Sequence, residues 1–209
     1  MAKYREHLTP AMMQLLQYET EATAIRFFHT TLIPGVMQTP AYAESVLEYW
    51  DEDLSEEQRA VRAEIRSRRR DQMLNMHDPP YWYVVLDESV LRRAPGREEE
   101  NEEVLADQLQ HLLELAKRPH VSVRVIEFSK ATPFVILGVF YIFDLGEEEN
   151  AILYKESGIL DEIIHARDRI ERHRRRFEQM WDLALSEDAS ARLIEAKAVT
   201  LRSDLARRR

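Results

Sequence analysis

Pro79-Pro80-Tyr81-Trp82-Tyr83-Val84-Val85-Leu86 divides the chain into two differently patterned parts. The prolines cannot continue a helix, and the aromatic and β-branched run behind them has the composition of a strand. Upstream, Ser55-Glu56-Glu57-Gln58 has the form of a capping box, so a helix is expected from Glu56 to about Leu74. Before it, Thr39 stands at an N-cap with Pro40 at the first helical position, where a missing N–H costs nothing. Tyr42, Val46, Leu47 and Trp50 form the buried side of that helix. Leu32-Ile33-Pro34-Gly35 is a break. Farther back, Met13, Leu16, Ala22, Ile25 and Phe28 recur at helical spacing, so residues 10–28 read as one helix or two short ones.

Downstream of the prolines, Asp87 can cap a short turn over residues 88–93. After an acidic loop at residues 98–103, Leu105, Leu109, Leu112, Leu113 and Ala116 mark a helix that Pro119 stops. Val121, Val123 and Val125 alternate with Ser122 and Arg124 as in a half-buried strand. Residues 134–143 are apolar on both faces. They read as a central strand covered on both sides and paired, through an acidic turn at 144–150, with residues 151–156. Leu160, Ile163, Ile164, Ile170, Phe177, Trp181 and Ala184 make one long helical stripe, and Leu193, Ala198, Leu201 and Leu205 a shorter one. The expected fold is α+β, with a helical N-terminal half and C-terminal helices packed on a small, mostly antiparallel sheet. No repeat and no Gly/Ser linker divides the 209 residues. A single domain over residues 1–209 is therefore expected, with a C-terminal helix at 186–209.

Composition narrows the chemistry. With no cysteine there is no disulfide, zinc-thiolate site, iron–sulfur cluster or cysteine nucleophile. Five glycines leave little room for a phosphate-cradling loop, and neither G-x-x-x-x-G-K nor G-x-G-x-x-G occurs. A net charge of −9 opposes nucleic-acid binding by the surface as a whole. No signal-peptide core or membrane-length apolar run is present, so the expected location is the cytoplasm, with no membrane partner.

His7, His29, His77, His111, His120, His165 and His173 are scattered without a ligand-like pair, so no metal site and no cofactor is expected. No G-x-S-x-G nucleophile elbow occurs. Asp87-Glu88 at a strand end could do acid–base work or simply cap the turn. Of 29 cations five are lysines and 24 arginines. Arg59, Arg62, Arg66 and Arg69 or Arg70 share one helix face, a ridge able to grip an anion bidentately or else a solvated face bridged to the acidic segments at 51–57 and 98–103. A second run, Arg167, Arg169, Arg172, Arg174, Arg175 and Arg176, flanks the Ile170, Phe177 and Trp181 stripe, and its aromatics keep the core period instead of interleaving as in a nucleic-acid surface.

The segment Leu32-Ile33-Pro34-Gly35-Val36-Met37-Gln38-Thr39-Pro40-Ala41-Tyr42-Ala43 resembles the domain of unknown function that follows an XRE-type helix-turn-helix in many actinobacterial regulators, including antitoxin-like ones. The likeness continues at residues 19–25, 66–72, 86–93, 108–126 and 154–156, and spans about 11–185. No helix-turn-helix is expected ahead of it in this chain, so direct reading of DNA is not carried over. The resemblance implies a companion module that receives a signal: a sensory or interaction domain for a small ligand or small protein partner, and a homodimer is expected. If Gln38, Tyr42, Arg66, Arg69, Glu88 and Glu156 converge, with Arg62 beside them, they form a polar site between the helical half and the sheet. The alternatives are an enzyme on a small anionic or nucleotide-like substrate held by Arg62, Arg66 and Arg69, and an antitoxin-like protein that neutralises a partner by contact.

Overall fold

The computed structural model describes residues 10–50, 55–95, 101–130, 133–146, 150–156 and 161–208, without the side chains of residues 49, 50 and 133. It is an α+β fold. Six strands, β1 (Ala24–His29), β2 (Tyr81–Asp87), β3 (Val121–Ile126), β4 (Val139–Asp144), β5 (Ala151–Glu156) and β6 (Glu162–Ile164), form one sheet in the order β3-β2-β1-β4-β5-β6. The β1–β2 and β2–β3 pairings are parallel, and the three from β1–β4 to β5–β6 are antiparallel.

Parallel neighbours need a crossover. Between β1 and β2 run α2 (Pro40–Trp50) and α3 (Glu56–Leu74), and between β2 and β3 runs α4 (Asn101–Leu115). All three cover the same sheet face. There Tyr42, Val46, Met73, Leu105 and Leu109 join Ile25, Phe27, Trp82, Val84 and Tyr141 in one core. Thr39 Oγ1 accepts from the Tyr42 N–H at 3.2 Å, and the capping box closes on both sides, with Ser55 Oγ and Gln58 Oε1 each accepting a backbone N–H. The helix α6 (Glu187–Arg208) runs antiparallel to α4, joined by Arg202–Asp107 and Arg208–Glu102 ion pairs. At the sheet edge, Ser190 Oγ accepts from the Val125 N–H at 3.0 Å and Leu185 N–H donates to Val125 O at 2.9 Å, so the outer rim of β3 is partly covered. The opposite face is closed by α5 (Arg167–Leu183), whose Ile170, Phe177 and Met180 pack on Phe28, Val85, Phe140, Ile142 and Leu153.

Three segments differ from their sequence reading. Residues 10–28 are a helix, α1 (Pro10–Glu21), followed by the interior strand β1, because Phe27 and Phe28 are both buried, on opposite faces. The 134–143 run is only partly a strand. Pro133–Leu137 is a 3-10 turn, and Gly138, at φ +68°, takes the left-handed turn that lets β4 start at Val139. Ile163 and Ile164 belong to β6 and not to the helix that follows. Leu160, the middle of the 144–150 turn and parts of both acidic segments lie outside the described residues.

Candidate functional site

Strand register gathers one set of side chains at the carboxyl end of β1. His29 pairs with Leu86, Phe27 with Tyr141, Tyr141 with Tyr154, and Val139 with Glu156. Side chains alternate along a strand. His29, Tyr141, Tyr154 and Glu156 therefore share the face that α1 and α3 cover.

Above them, α1 and α3 meet through a buried ion pair. Arg69 Nε donates to both Glu19 oxygens at 3.0 and 2.8 Å, and its Nη2 donates to Glu19 Oε1 at 2.5 Å. Burial works against the Arg69 charge, but the Glu19 carboxylate and its hydrogen bonds, with Tyr141 and Glu156 adding to them, hold the guanidinium above its usual pKa. The fork is thus committed to Glu19. Arg66, one turn earlier and half-buried, donates to Gln38 Oε1 at 3.4 Å, and Arg62 lies exposed beyond it.

His29 is 3 % exposed, and its Nδ1 lies 3.1 Å from Leu32 O. A carbonyl oxygen can only accept, so Nδ1 carries the proton. Burial, helped by the Arg69 charge and opposed by the Leu32 bond, pushes the ring down to a pKa of about 3, so the imidazole is neutral. Its Nε2 is then a bare acceptor, with no hydrogen-bond partner among the described residues. The His29 ring meets the Tyr141 ring edge-on at 5.2 Å, and Tyr141 meets Tyr154 the same way at 5.4 Å. Tyr141 donates to Glu156 at 3.0 Å and Tyr154 to Asp161 at 2.6 Å. Burial, then the carboxylates, raise both phenols above their ordinary value.

Residues 33–39 fasten this cluster to the rest of the helical layer. Gln38 donates to Ile33 O at 2.8 Å, and the Tyr42 hydroxyl accepts from the Ile33 N–H at 3.4 Å. Burial, tempered by that bond, raises the Tyr42 hydroxyl to about 12. Gln108 of α4 spans the segment, accepting from Thr39 N–H at 2.6 Å and donating to Met37 O at 2.8 Å. Gly35 lies so close to α3 that a Cβ there would sit 3.4 Å from Arg69 Nη1. Gln108→Leu keeps an apolar body but strands the Thr39 donor and the Met37 acceptor, at an expected cost of about 1–3 kcal/mol. Faster amide exchange at residues 37–39 and a lower urea midpoint are the expected readouts; wild-type values of both would show that Gln108 is not the fastener.

A family model described as "Domain of unknown function (DUF5753)" matches residues 12–196. The chain belongs to this family. The DUF5753 match takes in α1 with Glu19, the 33–39 segment, α3, every strand and the first half of α6. It therefore reaches about ten residues beyond the expected 11–185. A search of curated proteins finds no match.

Within this DUF5753 chain, Gln38, Tyr42, Arg66 and Arg69 come together around the 33–39 segment, and Glu156 joins through Tyr141 on the sheet. Glu88 does not. It receives Arg92 at 2.5 Å and the Phe128 N–H at 2.9 Å, and these outweigh the burial penalty and hold its carboxyl below the usual range. Asp87 caps the turn, accepting from Ser89 N–H at 2.8 Å. Of the second arginine run, Arg174 is buried against Asp144 at 2.6 Å, and Arg169 pairs with Glu162. Among the described residues no group of three His, Asp or Glu is placed to hold a metal ion, and no helix is long and apolar enough to cross a membrane. Sequence reading missed Glu19, His29, Gln108, Tyr141, Tyr154 and Asp161. The alternation of Tyr141 with neighbours of the opposite face was the one available signal, and the apolar character of the whole run hid it.

Proposed function

We propose that this chain is a non-enzymatic sensory domain, the effector part of an XRE-type, antitoxin-like regulator of actinobacterial kind, acting in the cytoplasm and taking a small ligand at the cluster around His29. The observation that carries this reading is the bare, buried Nε2 of His29, on a ring that meets Tyr141 edge-on, with Tyr141 in turn bonded to Glu156. Acceptors placed inside a core are costly unless something donates to them. The same groups are poor catalysts at neutral pH. A general base works best with a pKa near the operating pH, whereas burial takes His29 far below it and the phenols far above. The location also suits signalling. Glu19 ties the first described helix to α3, so a ligand that alters the cluster acts on the element to which a preceding module would be joined.

A thermal-shift screen of nucleotides, amino acids, sugars, amines and organic acids tests the reading. A ligand at a hundred times its Kd adds about 2.7 kcal/mol, or roughly 5–10 °C for a chain of this size. The expected hit is recovered chemically unchanged and loses its shift in Tyr141→Phe. Turnover of the hit, or shifts that Tyr141→Phe leaves intact, would replace the sensor by an enzyme or move the site elsewhere.

A further inference from the structure

The cluster is one-sided in its hydrogen bonding. The Tyr141 and Tyr154 hydroxyl protons are both given to carboxylates, so each oxygen presents only lone pairs to anything else. His29 Nε2 offers a third lone pair, and Glu156 and Asp161 offer more. Charge points the same way. Arg69 is ion-paired with Glu19, while neither Glu156 nor Asp161 forms an ion pair among the described residues. Lys155 alternates to the other face of β5. Two phenol rings add negative π-faces beside these acceptors.

We propose that the group recognised here is a protonated primary amine on a small ligand, its N–H bonds directed to His29 Nε2, the Tyr141 oxygen and the Glu156 carboxylate. This inference rests on the sensor reading above and gives its ligand a chemical class. An ammonium supplies three donors, no acceptor and one positive charge, the complement of what these side chains present. Charge-assisted bonds of this kind are roughly twice as strong as neutral ones, which separates an amine from an alcohol of the same shape. A carboxylate or phosphate would meet lone pairs and like charge.

The full chain, carrying ¹⁵N-labelled histidine, is titrated at neutral pH and constant ionic strength with butylamine, butanol and butyrate. The expected result is a saturable upfield movement of the His29 Nε2 resonance with butylamine, accompanied by a raised Tm. Butanol should bind about ten-fold more weakly or worse, and butyrate should leave the resonance in place. Glu156→Gln, a change at an exposed position with the fold intact, should weaken butylamine by a similar factor, and Tyr141→Phe provides the second variant. Equal binding of butanol, or butylamine binding indifferent to both variants, overturns the proposal. Movement of His29 by butyrate alone also overturns it but leaves the sensor reading standing. If none of the three probes moves His29, the amine assignment falls, and the wider metabolite screen decides the sensor reading by itself.

Discussion

Arg69→Met should destabilise the protein by roughly 3–5 kcal/mol, and adding Glu19→Leu to the same chain should restore most of the loss. The asymmetry follows from where the charges are. Glu19 is 1 % exposed and Arg69 8 %, and three hydrogen bonds of 2.5 to 3.0 Å join them. Removing the guanidinium leaves a carboxylate in a core lined by Leu15, Val36, Met37 and Met73, where it must stay charged without a partner or take up a proton. Removing both charges leaves two apolar side chains of similar length in an apolar layer. A double-mutant cycle by urea denaturation measures this. The single variant should lose roughly 10 °C of Tm or more, and the coupling between the sites should be of the same order as the single loss. If Arg69→Met unfolds at the wild-type midpoint, or if the double variant is as unstable as the sum of the singles, the pair is not what fastens α1 to α3. Because that fastening is also the proposed route from the cluster to α1, amide exchange in Pro10–Glu21 should quicken in Arg69→Met and slow again in the double variant.

What could be read from the chain and what could not divide along a physical line. The helix Glu56–Leu74 was legible to the residue because its start is a local device, Ser55 and Gln58 exchanging hydrogen bonds across three positions. Tyr81–Asp87, Val121–Ile126 and the Val139–Glu156 hairpin were legible from composition and alternation. Ala24–His29 was not. It follows α1 with no Gly or Pro between, and Ile25 and Phe28 stand three apart, which continues a helical stripe as well as it begins a strand. Only the neighbours β2 and β4, more than fifty and more than a hundred residues away, choose between the two, and β1 is the strand on which the whole sheet is centred. Likewise Ile163 and Ile164 fit a helix stripe until β5 is there to pair with them.

The candidate site was hidden for a related reason. The arginine ridge of α3 was visible as a spacing, but spacing does not say that the ridge passes from exposed at Arg62 to buried at Arg69, nor that Glu19, fifty residues earlier, fills the last fork. Nor could seven dispersed histidines reveal that one of them ends a central strand with its Nδ1 held by a carbonyl. The 33–39 segment, the most distinctive part of the sequence, is in the structure a fastener between α3 and α4, and it frames the cluster more than it composes it.

His29 also sets a pH dependence whose sign can be worked out. Its ring is lowered from 6.5 to about 3 in the folded chain, chiefly by burial. Above pH 6.5 the ring is neutral in both folded and unfolded states, so its contribution is fully present and flat. As pH falls from 6.5 towards 3 the unfolded chain binds a proton that the folded chain refuses, and stability drops by about 1.4 kcal/mol for each unit. Between 6.5 and the ordinary carboxylate value of 4.5 this amounts to about 2.7 kcal/mol. His111, His120 and His173 are lowered as well and slope the same way, whereas the depressed carboxylates Glu88, Glu114 and Glu162 lose their contribution only below that window. The comparison must therefore be with His29→Gln, which retains the other histidines and can still donate to Leu32 O. Urea midpoints of the two proteins should lie closest at the acid end of the window and separate as pH rises to 6.5, the wild type gaining the extra stability. Parallel curves would mean that His29 accepts a proton in the native state. A ring that takes up its proton as readily folded as unfolded is not sealed from water, and the buried, bare Nε2 on which the ammonium site is centred would be lost.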